Sequence, residues 1–226
     1  MPPRGTKRVD TFRPFSGKAC QHLAFDPAQE QFPILRWLDP PHFQSRDREL
    51  LPVLQRSEFK ITREAQAAVS SAEREVALTL FQVGMKELWL GYAVQVAESQ
   101  DPDAASMTVA LVTAVLDAAA RAVDVAKPKN EEPRPFQVNG RIKCLGTAPG
   151  GTSHPSGHSA MSYAAATILG ELCPERAEEF LRAARNVALS RVICGHHFAG
   201  DVAAGARLGI SLAQAYYRTG RKLTGR

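Results

Sequence analysis

His197 and Asp201 stand four residues apart, a spacing that places both on one face of a helix. His196 does not share that register. At about 100° per residue it falls about 140° from Asp201. A histidine that meets a carboxylate through one ring nitrogen can use the other as a nucleophile or a base. One helix upstream, Arg191 falls inside an apolar stripe of Ala177, Phe180, Leu181, Ala184, Ala188 and Val192. Glu178, Glu179, Arg182 and Arg185 lie off that stripe. A guanidinium pointed into a core is costly unless an anion or several acceptors meet it.

The same pattern recurs on two other helices. The stripe Val109, Val112, Leu116, Ala120 and Val123 is extended at its C-terminal end by Lys127, and Met161, Ala165, Ile168, Leu169 and Leu172 are preceded on their face by His158. The stripe that follows Asp201 is Ala204, Gly205, Leu208, Leu212 and Ala215. Each polar group has an ordinary structural reading when taken alone, such as a lysine that compensates a helix dipole. Together they describe helix ends converging on one anion pocket, with three cations suited to a phosphate dianion. "PSGH" (155–158) adds Ser156 as a helix cap and Gly157 as a point of close backbone approach, with free N–H groups in the first turn.

The elements that must hold these groups are helical. The spacing predicts one or two helices over 62–98, with a capping box at 70–73, and further helices over 104–127, 156–172, 175–194 and 197–217. Gly195 serves as a helix stop. Pro128 and Pro133 force a loop, and Arg134 lies in it, stiffened by its proline neighbours. Residues 1–60 read as an irregular segment packed on the helical body. No period-2 strand pattern appears. The expectation is a single all-α domain spanning 1–226.

Composition narrows the function classes. The chain has 226 residues and a formal net charge of +5, without a basic run interleaved with aromatics. Nucleic acid is therefore not expected as a partner, whereas a small anionic substrate suits the mild positive bias. The most apolar stretch, 107–123, is interrupted by Asp117 and Arg121, so no membrane span is expected. The N-terminus lacks the apolar core of a signal peptide. Cys20, Cys144, Cys173 and Cys194 are too scattered for a zinc site, and their even number leaves disulfides open.

"KPKNEEPRP" fits K-x6-RP, "PSGH" fits a second block, and "SRVICGHHFAGD" fits SR-x5-H-x3-D. This resembles the three-block signature of the type-2 phosphatidic acid phosphatase and vanadium haloperoxidase superfamily. The last block looks most like bacterial class A nonspecific acid phosphatases. The resemblance implies a helical bundle of that type and a metal-independent acid phosphatase acting on small phosphoesters. It implies no cofactor, although phosphate or vanadate can occupy the site. It also implies a periplasmic or secreted location, with the cytoplasm as the alternative.

Carried over residue by residue, the resemblance makes His197 the nucleophile, Asp201 its orienting carboxylate and His158 the general acid and base. Lys127, Arg134, Arg191, Ser156 and the Gly157 N–H become the phosphate-binding set. His154 and His196 stand where tyrosines often occur in class A enzymes, as lining of the pocket mouth or as surface residues without a role. Cys144 and Cys194 fall where such relatives can carry cysteines, which leaves a bridge between them open. The implied phosphatase has a broad substrate range and can also transfer phosphate to an alcohol; vanadate-dependent haloperoxidase activity, lipid phosphatase activity and phosphate binding without catalysis are the competing readings. Substrate identity and homo-oligomerisation stay open.

Overall fold

The computed structural model describes residues 51–224, the side chains of residues 60–219 among them. The expected irregular segment lies outside the described residues up to position 50, as does Cys20. From Leu51 onward the chain is helical, so the last ten residues of the expected irregular stretch are a helix instead.

Helices α1 (Leu51–Ala68), α2 (Ser71–Gln82) and α3 (Met85–Ala97) occupy the region read as one or two helices. The break before α2 is chemical: the Ser70 hydroxyl accepts from the Glu73 N–H, and the Glu73 carboxylate accepts from the Ser70 N–H at 2.8 Å, the capping box expected there. Helix α4 (Pro102–Ala126) starts at Asp101, whose carboxylate accepts from the N–H groups of Asp103 and Ala104, with Pro102 in the first turn. A 3-10 turn (Lys127–Lys129) and the one-turn helix α5 (Pro135–Val138) interrupt the following loop. Helix α6 (Gly157–Leu172), a 3-10 turn (Pro174–Arg176), α7 (Ala177–Ile193) and α8 (Ala199–Thr224) complete the chain. No strand occurs among the described residues.

Helix α6 is central. It packs against α3, α4, α7 and α8. Its buried residues, Ala160, Tyr163, Ala164, Ala165, Ala166, Ile168 and Leu169, cover most of its circumference, as a helix enclosed on several sides requires. Small residues bring α6 and α8 together. A Cβ on Gly205 would collide with the Ser156 carbonyl, and one on Gly209 with the Ala160 carbonyl. This close approach sets the N-terminal ends of α6 and α8 side by side, and the Ser156 N–H donates to the Asp201 carbonyl at 3.0 Å.

Two expected faces are corrected. In α8 Gly205 is buried as expected, but the buried stripe otherwise runs through Val202, Ala206, Gly209 and Ala213, while Ala215 is exposed, because α8 presents its smallest residues to α6. In α7, Leu181 is 37% exposed, while every residue from Asn186 to Ile193 is buried.

Candidate active site

The C-terminal ends of α4 and α7, the loop before α5 and the N-terminal ends of α6 and α8 carry the predicted groups. Helix α7 stops where Gly195 takes φ +72°, a left-handed conformation that favours glycine. A Cβ there would also strike the Lys143 carbonyl. The turn reverses the chain within six residues, so Arg191 at the end of α7 and Asp201 in the first turn of α8 reach one site. Gln66 of α1 fastens this corner, donating to the carbonyls of Lys143 at 2.7 Å and Ile193 at 2.9 Å.

His197 is buried, and its two nitrogens have different surroundings. Nε2 lies 3.2 Å from Arg134 Nη1. Arginine offers only donors, so Nε2 must carry the lone pair and Nδ1 the proton. Nδ1 faces Asp201 Oδ2 at 3.7 Å, an ion-pair distance longer than a hydrogen bond. Burial pushes the imidazole down to about 4, against the pull of the Asp201 carboxylate.

Asp201 is fully buried and richly held. It accepts from the Ser153 hydroxyl, from the Phe198 N–H at 2.8 Å and from His154 Nδ1 at 3.1 Å. Burial alone would raise its carboxyl, but the contacts from His154, His197 and Ser153 prevail and hold it well below the ordinary carboxylate range. Ser153 was not anticipated. Its adjacency to "PSGH" was the only signal, because a loop residue has no helical face to read.

The three cations differ in their ties. Lys127 donates to the Thr152 carbonyl at 2.6 Å. Burial lowers its ammonium, and Arg134 lowers it further. Arg134 grips the loop: Nε donates to Gly151 O at 3.2 Å, Nη2 to Gly150 O at 2.8 Å and Nη1 to His196 O at 2.9 Å. Gln137 accepts from its backbone N–H at 2.7 Å and fixes the turn into α5.

Arg191 is 1% exposed. Its Cζ lies 4.6 Å from the centre of the Phe81 ring, and Nη2 lies 2.9 Å from His196 Nδ1. Nε and Nη1 have no hydrogen-bond partner. Burial pushes the guanidinium down to about 10. Among the described residues, none of the three cations has a carboxylate ion-pair partner.

His158, in the first turn of α6, is near enough to Arg191, His197, His196 and Arg134 to feel their charge. Burial first, and then those neighbours, hold its imidazole well below the usual histidine range. Ser156 caps α6, with Oγ accepting from the Ser159 N–H at 3.4 Å. Gly157 follows as the first helical residue. The structure therefore gathers Lys127, Arg134, Ser156, Gly157, His158, Arg191, His197 and Asp201 around one corner of the bundle.

His196 is corrected most. It is not at a rim; it is fully buried, edge-on to Phe81 at 4.8 Å between ring centres. His154 is partly buried and bound to Asp201. Cys144 and Cys194 are free thiols despite their neighbouring segments, which meet where the Leu145 N–H donates to the Cys194 carbonyl at 3.0 Å. Burial raises both thiols, Cys194 to about 11, which favours their protonated forms.

Glu132, His154 and Asp201 bring ligand atoms within 4.8 Å of one another, a spacing that could hold a cation. His154 and Asp201 are already hydrogen-bonded to each other, however, and Lys127 and Arg134 lie beside Asp201. The charge of this corner suits an anion better.

Comparison with known proteins gives the family. The model of the PAP2 superfamily matches residues 104–224. A non-specific acid phosphatase of Providencia stuartii is 35% identical over 106 residues, covering 45% of this chain and 43% of that protein. A non-specific acid phosphatase of Salmonella typhi is 47% identical over 57 residues, covering 25% of this chain and 23% of that protein. The chain thus matches less than half the length of these curated relatives. A crystal structure of a transmembrane PAP2-type phosphatidylglycerolphosphate phosphatase from Bacillus subtilis superposes with a TM-score of 0.57 at 20% identity, over 87% of this chain and 96% of that one. That likeness concerns the fold. No described helix of the present chain is long and apolar enough to cross a membrane.

Proposed function

Because the chain belongs to the PAP2 superfamily, we propose that it is a phosphatase that hydrolyses small phosphate monoesters, and that the whole of 1–226 serves this one activity. The observation that carries the reading is Arg191: a buried guanidinium with two unpartnered nitrogens and no carboxylate beside it. Such a charge is tolerated where an anion completes it. Lys127 and Arg134 add positive charge at the same corner, and the start of α6 adds its N–H groups.

The reaction runs in two steps. His197 Nε2 attacks phosphorus, and the bond to the leaving oxygen breaks as His158 delivers a proton to it. His158 then takes a proton from water, whose oxygen attacks the phosphohistidine and releases phosphate and free His197. Asp201 keeps the His197 proton on Nδ1 and stabilises the charge that grows on the ring. Lys127, Arg134, Arg191, Ser156 and the Gly157 N–H hold the phosphoryl oxygens, and positioning with charge stabilisation supplies most of the acceleration. No metal is needed in this scheme.

Arg134 Nη1 donates to the lone pair that must attack. Substrate binding therefore has to turn that N–H from His197 to a phosphoryl oxygen. A site that grips only the phosphate accepts many leaving groups and, where an alcohol replaces water, transfers phosphate to it. The same reading carries the expectation of a periplasmic or secreted enzyme, which cell fractionation tests. The test of activity is hydrolysis of para-nitrophenyl phosphate between pH 4 and 8 in the presence of a metal chelator. Turnover that is lost in Arg191→Ala supports the reading. Absence of turnover at every pH contradicts it, as does peroxide-dependent bromide oxidation with added vanadate that exceeds hydrolysis.

A further inference from the structure

We propose that His196 is a positioning residue that holds both phosphate-binding arginines in place; this rests on the phosphatase reading above. Its backbone carbonyl accepts from Arg134 Nη1 at 2.9 Å, and its imidazole Nδ1 meets Arg191 Nη2 at 2.9 Å. One residue is thus joined to two guanidiniums that come from different segments, the loop before α5 and the end of α7.

The imidazole contact has a defined chemistry. Arginine cannot accept a hydrogen bond, so His196 Nδ1 must be the acceptor and its proton resides on Nε2. The ring cannot drift, because it is fully buried and packed edge-on to Phe81. Phe136 adds a second edge contact, 6.4 Å away between ring centres.

The guanidinium is fixed in two directions. Phe81 lies against its face, and His196 engages Nη2. What stays without a partner is Nε and Nη1, and Nη2 keeps a second N–H beside one of them. A guanidinium edge with two parallel N–H groups is the part that grips a phosphoryl group bidentately. Arg191 has no carboxylate to set its orientation, a role that His196 fills without cancelling the charge. A neutral acceptor leaves the full positive charge available to the substrate, whereas a carboxylate in its place would compete with phosphate.

The test compares His196→Leu with His196→Asn. Leucine fills the space without an acceptor. Asparagine places its carbonyl oxygen near the position of Nδ1 and restores the acceptor. Circular dichroism and thermal melts select variants that keep the fold. Inorganic phosphate affinity is read by calorimetry, and KM and kcat are read with para-nitrophenyl phosphate. His196→Leu should weaken phosphate binding and raise KM at least tenfold, and His196→Asn should recover phosphate affinity to within about threefold of the parent. In an Arg191→Lys background, His196→Leu should add less than twofold.

Equal phosphate affinity in His196→Leu and the parent would overturn the proposal, provided that Arg191→Lys itself weakens binding. Equal loss in the leucine and asparagine variants would also overturn it, since shape and not the acceptor would then matter. If Arg191→Lys leaves phosphate affinity unchanged, the phosphate site itself is wrong and the failure lies in the underlying reading.

Discussion

Nη1 of Arg134 lies 3.2 Å from Nε2 of His197, and this one contact fixes the tautomer of the proposed nucleophile. With a donor on Nε2, the proton must be on Nδ1, which faces Asp201. Substituting Asp201 by Asn would present an amide donor or a neutral oxygen where a carboxylate now stands. The wrong tautomer becomes accessible, and kcat should fall by ~10³-fold or more. The melting temperature should fall as well, because Ser153, His154 and Phe198 lose a charged acceptor. Steady-state kinetics alongside thermal melts separate the two effects. Full activity in Asp201→Asn would leave the aspartate without a role in orienting His197.

Stability should decline as the pH falls from neutral. Burial holds His158 well below the usual range, His196 at about 3 and His197 at about 4, against 6.5 for an ordinary histidine. Between those values and 6.5 the unfolded chain binds protons that the native state refuses, so stability rises with pH across this window. Asp201 acts in the same sense at lower pH. Its contribution is present above the ordinary aspartate value of 3.8 and is lost as pH falls through its depressed native value. Thermal melts at fixed ionic strength should show a drop between pH 6.5 and 4, and a flat profile there would contradict the burial of neutral histidines.

Binding of an anion should reverse this trend for His158. A dianion among Lys127, Arg134 and Arg191 offsets the charges that suppress the His158 proton. Sulfate keeps one charge state from pH 4 to 8 and is therefore the cleaner probe. Its affinity should rise as pH falls, with proton uptake on binding. Calorimetry in buffers of different ionisation enthalpy measures that uptake, and His158→Asn should reduce it.

The close approach of α6 and α8 carries its own prediction. Gly209→Ala drives a methyl group into the Ala160 carbonyl and must push the helices apart. A cost of ~1–3 kcal/mol is expected for such overpacking. Because the ends of these helices carry His158 and Asp201, kcat should fall too. Gly140→Ala is the control, since nothing lies within 4 Å of its added Cβ. Melting temperature and kcat for the two variants decide whether the contact is tight and whether it positions the site.

Much of the site was readable from helical spacing. The inward turn of Arg191 follows from 3.6-residue periodicity and occurs as expected, whereas His197 does meet Asp201 but from the turn before α8 and not from a shared helical face. The loops between α4 and α6 have no period. Ser153, and the carbonyls of Gly150 and Gly151 that hold Arg134, are placed by tertiary contacts that no wheel shows. The α8 stripe expected from spacing contains Gly205 but then follows Leu208 and Leu212, whereas Gly209 and Ala213 continue the tighter face. His196 escaped for a related reason: beyond Gly195 the chain leaves the helical register, so its burial against Phe81 depends on α2.

The central claim is that His197 attacks phosphorus, and trapping the intermediate tests it most directly. Rapid acid-free quenching of the enzyme with a radiolabelled small phosphoester, followed by peptide mapping, should place an acid-labile, base-stable phosphate on His197. His197→Ala should carry none and should lose turnover by ~10³-fold or more. Label on another residue, or wild-type turnover in His197→Ala, would contradict the account.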